Sequence, residues 1–302
     1  PKLTVVSNSS SDSEGLKPFD IHALDALPEN QQQRIKKALS IVAPGAGILG
    51  VMTTNRSWDL RPIILQFGDR GPSMIRFLGP EVALSEPAKK DGLELFTKNI
   101  LQNDTILEHG DYENSLWLRR PLYDRTLNEM LFSQKLPSTE EAFSIAIALV
   151  DKITKIHNAG IVHGHITLSN VAVHADNSIS LFDTGLATIC IRATRELGIE
   201  NFPQGYSEES FAPEINTNLN QSYRCDIYGL GQVLNELFYI TYTAEKNSLS
   251  AEVRADVQSV LDFCKLLTQE EIYKRPNLKE IREVLHSRGR PNFEPLTSVE
   301  IT

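Results

Sequence analysis

One helix is written plainly into residues 138–160, and its place in the chain constrains everything around it. Ser138 followed three residues later by Glu141 has the pattern of a capping box, in which each side chain satisfies a backbone N–H left orphaned at a helix start. Phe143, Ile145, Ala146, Leu149, Val150, Ile153 and Ile156 then recur at helical spacing, and Gly160 supplies a C-terminal stop. Further helices are expected through "CDIYGLGQVLNELF" from Cys225 and after Pro276 in "PNLKEIREVLHS". The chain before residue 138 reads differently. In 61–71, 105–114 and 115–122 short apolar runs alternate with turn residues, the pattern of strands and hairpins. Strands first and helices afterwards predict an α+β protein with a small sheet-rich part and a larger helical one.

Charge and cysteine content narrow the function classes. The 302 residues carry a net charge of -9, which repels polyanions and anionic lipid surfaces, so neither a nucleic acid nor a membrane surface is expected as partner. Cys190, Cys225 and Cys264 are odd in number and widely spaced, fitting neither a disulfide framework nor a zinc site and pointing to a reducing, cytoplasmic compartment. No apolar run reaches the roughly 18 residues a spanning helix needs, so membrane insertion is not expected. Residues 1–20 are serine-rich and read as a flexible tail, and 287–302, broken by Gly289, Pro291 and Pro295, as a C-terminal tail or linker.

The candidate chemistry follows the 138–160 helix. "IVHGHITLSN" contains His163, Gly164, His165, Thr167 and Asn170; "LFDTG" contains Asp183 and Gly185; then come Glu214 in "FAPEIN", Asp226 in "CDIYGLG" and Arg275 in "KRP". In this order the motifs resemble those of the protein kinase superfamily, of the Ser/Thr kinase-like type. That resemblance implies a bilobal fold, with a mainly β N-lobe over 21–122 and a mainly α C-lobe over 123–286. It implies structural roles for His163, Gly185, Glu214, Asp226 and Arg275, with Arg275 pairing Glu214. Any Mg²⁺ would be held by Asn170 and Asp183, and any nucleotide by Gly45, Gly47 and Gly50 of "GAGILG", with Arg120 beside the adenine slot. Glu94 is the candidate for the helix glutamate that pairs the ATP lysine, or else a solvated surface residue.

Several positions depart from the family pattern. The base position holds His165, the arginine before it is Gly164, the catalytic-loop lysine is Thr167 and the ATP lysine is Gln66. Phosphoryl transfer relies on cations around the phosphates, so a degenerate member is expected: a pseudokinase, not an enzyme, with no catalytic residues. Such a domain would act as a protein-binding scaffold or allosteric regulator in signalling. Its partners would be proteins or other domains of a longer chain, and no cofactor would be required beyond weak ATP with Mg²⁺. The alternative is a nucleotide-binding transferase with atypical catalytic residues, drawing a cation from Arg56, Arg61 or Arg120. Between Asp183 and Glu214 the resemblance implies an activation segment, and Thr194, Tyr206 and Ser207 read as ordinary loop hydroxyls.

Overall fold

The computed structural model describes residues 21–52, 63–66, 72–78, 84–103, 106–113, 115–123, 125–133, 135–196, 198, 208–217 and 222–289. Residues 1–20, Arg56, Arg61, Tyr206, Ser207 and most of the expected C-terminal tail lie outside them. Two units emerge: the described residues of Pro1–Tyr123 with Thr184–Ser207, and those of Asp124–Asp183 with Glu208–Thr302.

The first unit is built on an antiparallel sheet. β1 (Ile21–His22) leads to α1 (Glu29–Val42), followed by β2 (Gly47–Met52), β3 (Ile63–Gln66), β4 (Ser73–Leu78), α2 (Glu86–Asn103), β5 (Glu108–Tyr112) and β6 (Ser115–Pro121). The strand order is β1-β2-β3-β4-β6-β5, with Ile63 opposite Ile75 and Met74 opposite Arg120. Side chains alternate across a strand, so Ile63, Leu65, Ile75 and Phe77 pack with Ile35, Ala38 and Leu39 of α1. Leu78, Leu116 and Leu118 join Phe96 of α2 in a separate cluster. Because the strands are covered on both faces, β3 is a continuous apolar run rather than an alternating one.

The second unit begins with α3 (Leu127–Leu131) and α4 (Thr139–Asn158), followed by the paired strands β7 (Val171–Val173) and β8 (Ile179–Leu181). Ser138 and Glu141 form the reciprocal capping box that the sequence predicts, and the apolar set from Phe143 to Ile156 is buried. The chain then returns to the first unit in α5 (Leu186–Glu196), whose Leu186, Ile189, Cys190 and Ala193 join Phe96 and Leu116. Thr194 is therefore no loop hydroxyl: it is buried on this helix and donates to the Cys190 carbonyl at 2.8 Å.

Among the described residues the second unit continues with α6 (Pro213–Thr217), α7 (Tyr223–Glu245), α8 (Ala251–Leu267) and α9 (Leu278–His286). α7 starts before Cys225 because the Ser222 side chain caps it, and α9 starts after Pro276 because Asn277 and Glu280 form its capping box. Phe238 of α7 meets Phe143 of α4 edge to face, ring centroids 4.8 Å apart. The chain thus has the expected α+β architecture, a sheet-bearing unit and a helical one. Among the described residues no helix is long and apolar enough to cross a membrane.

Candidate active site

α7 carries the residue that shapes the loop after α4. Asp226 is 1% exposed, and a buried carboxylate requires donors to replace water. It has three: the backbone N–H of His163 at 2.8 Å, that of Gly164 at 2.7 Å and the His157 Nε2–H at 2.8 Å. Gly164 has φ 81, a conformation that favours glycine, so this position turns the chain and presents no side chain. Gly229 of α7 brings the loop close, since a Cβ there would lie 2.9 Å from the Ile166 carbonyl oxygen.

His163 links this loop to the end of β8. Its Nδ1 accepts from the His165 backbone N–H at 3.2 Å, so its proton is on Nε2 and is donated to the Phe182 carbonyl at 3.0 Å. Burial pushes its pKa below the usual imidazole range, against the opposing pull of the Asp226 charge. The Phe182 N–H donates in turn to the Asn170 carbonyl at 3.0 Å, which sets Asp183 beside Asn170. Asp183 has φ 62, a left-handed backbone that costs an ordinary residue about 1 kcal/mol or more. An amide oxygen and a carboxylate are hard donors of the kind that suits Mg²⁺.

At the base position, the half-buried His165 ring is held on three sides. Nε2 lies 2.9 Å from Ser210 Oγ, Nδ1 lies 3.4 Å from Asn170 Nδ2, and the ring stacks on Phe211 with centroids 4.5 Å apart. Asn170 Nδ2 also donates to the His165 carbonyl at 2.9 Å. Ser210 and Phe211 are absent from the sequence reading. No local spacing marks them, because the Ser210 contact joins positions 45 residues apart. Thr167 is half-buried and caps the short turn Leu168–Asn170 without a side-chain hydrogen bond.

A second tie fixes the chain beyond Phe211. Arg275, 1% exposed, forms a two-pronged pair with Glu214, Nη1 to Oε1 at 2.6 Å and Nη2 to Oε2 at 2.8 Å. Its Nε donates to the Gln269 carbonyl at 2.7 Å and its guanidinium lies over the Tyr228 ring. Cys225 Sγ donates to Glu214 as well, at 3.2 Å. Burial opposes ionisation of Glu214, yet the Arg275 guanidinium and the other donors hold its carboxyl below the usual range.

The remaining candidates belong to the first unit. Gly47 and Gly50 lie inside β2, Gly47 opposite Gln66 and Gly50 opposite Ile64, and Gly45 takes φ 80 in the turn before the strand. Gln66 ends β3. Glu94 is exposed on α2 and pairs with Lys98 at 2.8 Å. Arg120 is buried in β6, with Nη1 donating to the Pro121 carbonyl at 3.3 Å and its guanidinium over the Tyr123 ring. Burial, reinforced by the like charge of Arg76, pushes Arg120 down to about 9. Gly185, at φ 76, lets the chain pass Leu95 of α2, where a Cβ would meet Leu95 Cδ2 at 2.0 Å.

Comparison with known proteins agrees with this geometry. Residues 93–289 match the model of the family described as "Protein kinase domain". Similar proteins include the mitogen-activated protein kinase p38a of Drosophila melanogaster, 26% identical over 59% of this chain and 53% of that protein. The serine/threonine-protein kinase Nek9 of Xenopus laevis is 25% identical over 66% of this chain and 23% of its own length. A probable inactive serine/threonine-protein kinase of Dictyostelium discoideum is 25% identical over 62% of this chain and 49% of its own. The chain thus spans about half or less of the length of each. These matches overturn the expectation that the chain is not an enzyme, because relatives named as kinases stand among the similar proteins. The physical reason is that phosphoryl transfer is mostly positioning and electrostatics, so four altered residue types at Gln66, Gly164, His165 and Thr167 do not by themselves measure the loss of transition-state stabilisation.

Proposed function

The chain belongs to the protein kinase family, and from that premise we propose that it is a kinase-like transferase with an atypical centre, slow in phosphoryl transfer and regulatory through contact with a protein partner. The observation that carries this reading is the loop itself: the Phe182 N–H, one residue before Asp183, donates to the Asn170 carbonyl on a frame tied to Asp226, while the base position holds the His165 ring. Asn170 and Asp183 would hold Mg²⁺, which when bound would neutralise phosphate charge as ATP reacts. Slow turnover follows from the lost cations, since each phosphate-binding cation supplies a large share of transition-state stabilisation. The three buried thiols fit a reducing, cytoplasmic setting.

Incubation with Mg²⁺ and ATP labelled on the γ-phosphoryl, with a mixed Ser/Thr peptide library as acceptor, tests the reading. Transfer is expected, and Asp183→Ala is expected to abolish it. Thermal denaturation should show stabilisation by ATP that needs Mg²⁺, because a ligand of the native state raises its stability. No transfer together with no stabilisation at millimolar ATP would sink the proposal.

A further inference from the structure

We propose that the chain closes the acceptor place of its own transfer centre: the Ser210 hydroxyl stands where a substrate hydroxyl has to stand, and a foreign Ser or Thr acceptor enters only when it withdraws. This role of Ser210 rests on the reading of the loop as a transfer centre with His165 at the base position. A reacting hydroxyl must come within hydrogen-bond reach of the residue at that position, about 2.6–3.2 Å between heavy atoms. Ser210 Oγ already lies there, 2.9 Å from His165 Nε2. Whichever of the two atoms gives the proton, that distance leaves no room for a second oxygen between them. The other ring nitrogen has Asn170 Nδ2 at 3.4 Å, and Phe211 is stacked on the ring. A foreign hydroxyl therefore reaches a ring nitrogen only by displacing a neighbour that belongs to the chain.

The serine is held in place by contacts on both sides, all within the second unit. It ends the short helical turn Glu208–Ser210, where Gln232 Nε2 of α7 donates to the Glu209 carbonyl at 3.0 Å. Beyond it Phe211 is 3% exposed and Glu214 is gripped by Arg275. None of these contacts uses the Ser210 hydroxyl, so it can turn away about its own Cα–Cβ bond while the main chain stays. That movement is opposed by its hydrogen bond to His165, and a net hydrogen bond of ordinary strength corresponds to roughly 2–10-fold in an equilibrium constant. The closure is weak and reversible. It raises the apparent KM for a foreign acceptor by that factor, the inverse of the fraction of time the place is open. Once an acceptor has entered, the transfer step itself is unaffected, so kcat does not report the closure.

Steady-state transfer from γ-labelled ATP to the mixed Ser/Thr peptide library, run with the intact chain, Ser210→Ala and Ser210→Thr, tests the closure. Ser210→Ala is expected to lower the apparent acceptor KM by roughly 2–10-fold, with kcat within about twofold of the intact chain. Ser210→Thr keeps a hydroxyl and should keep the higher KM. A serine that only supported the fold, or one that bound the acceptor, would instead lower kcat or raise KM when truncated. An unchanged or raised KM in Ser210→Ala, with transfer still observed, overturns the closure and leaves the proposed function standing. A fall in KM of the same size in Ser210→Thr overturns it as well, because the hydroxyl is then not what closes the place. Transfer by Ser210→Ala where the intact chain is silent upholds both. If none of the three chains transfers, the proposed function falls and the closure with it.

Discussion

The tie between Glu214 and Arg275 and the nest around His165 sit in the same unit and are built on opposite principles. In the tie, charged groups are buried: Arg275 is 1% exposed, its guanidinium is met by both oxygens of Glu214, and Asp226 nearby is satisfied by main-chain N–H groups. Around His165 the neutral groups Ser210, Asn170 and Phe211 are among the contacts of a half-buried ring. A buried charge without its partner is strongly unfavourable, so residue types in the tie cannot change singly without cost to the fold. A half-exposed neutral group can be exchanged at small cost. Departures from the family pattern at His165 and Thr167, both half-buried, are therefore compatible with a frame that keeps its charged residues.

Substitution is the direct way to break this comparison. Arg275→Ala leaves Glu214 buried without its cation, and urea unfolding should show a loss of about 3–5 kcal/mol. A loss under about 1 kcal/mol would mean that the tie is not what holds this end of the unit.

Acid should separate the two regions less sharply. His163 has a folded-state pKa below its ordinary 6.5, so the unfolded chain takes up a proton first as pH falls. Its contribution to stability is fully present above pH 6.5 and is lost as pH drops toward the depressed folded value, at up to about 1.4 kcal/mol per pH unit. Urea midpoints at pH 7.5 and 5.5 should differ by more in the unaltered chain than in His163→Gln. Equal differences would show that His163 does not carry this step. Glu214, held below 4.5, adds its own loss only as pH falls below that value.

The smallest effect is expected at the nest. His165→Leu should shift stability by no more than about 1 kcal/mol, because the ring is half-buried and its partners retain access to water. A loss approaching that of Arg275→Ala would erase the contrast and make His165 part of the structural frame.

Particular residues show how far the sequence could be read. The 138–160 helix was legible in full, since its capping box and apolar spacing are local. α1 and α5 left a signal that went unread: Ile35, Ala38 and Leu39, and Leu186, Ile189, Cys190 and Ala193, recur at helical spacing, but α1 lies in the span expected to be mainly β and α5 in the expected activation segment. "GAGILG" shows the converse, a glycine pattern that places two of its glycines within a strand. Around the candidate site, the motif residues could be listed from sequence, but not that Ser210 and Phe211 would close on His165.

By itself the sequence determined what is local or periodic: where α4 begins and ends, the order of strands before helices, and the motif residues from His163 to Arg275 that place the chain in its family. Only the tertiary structure decided that Ser210 and Phe211 close on His165, that Asp226 gathers three donors from two segments, and that α5 belongs to the sheet-bearing unit. Capping and periodicity act within a few residues, and composition records them. The contacts of His165 with Ser210 and of His157 with Asp226 join groups 45 and 69 positions apart, and they exist only once the chain has closed on itself.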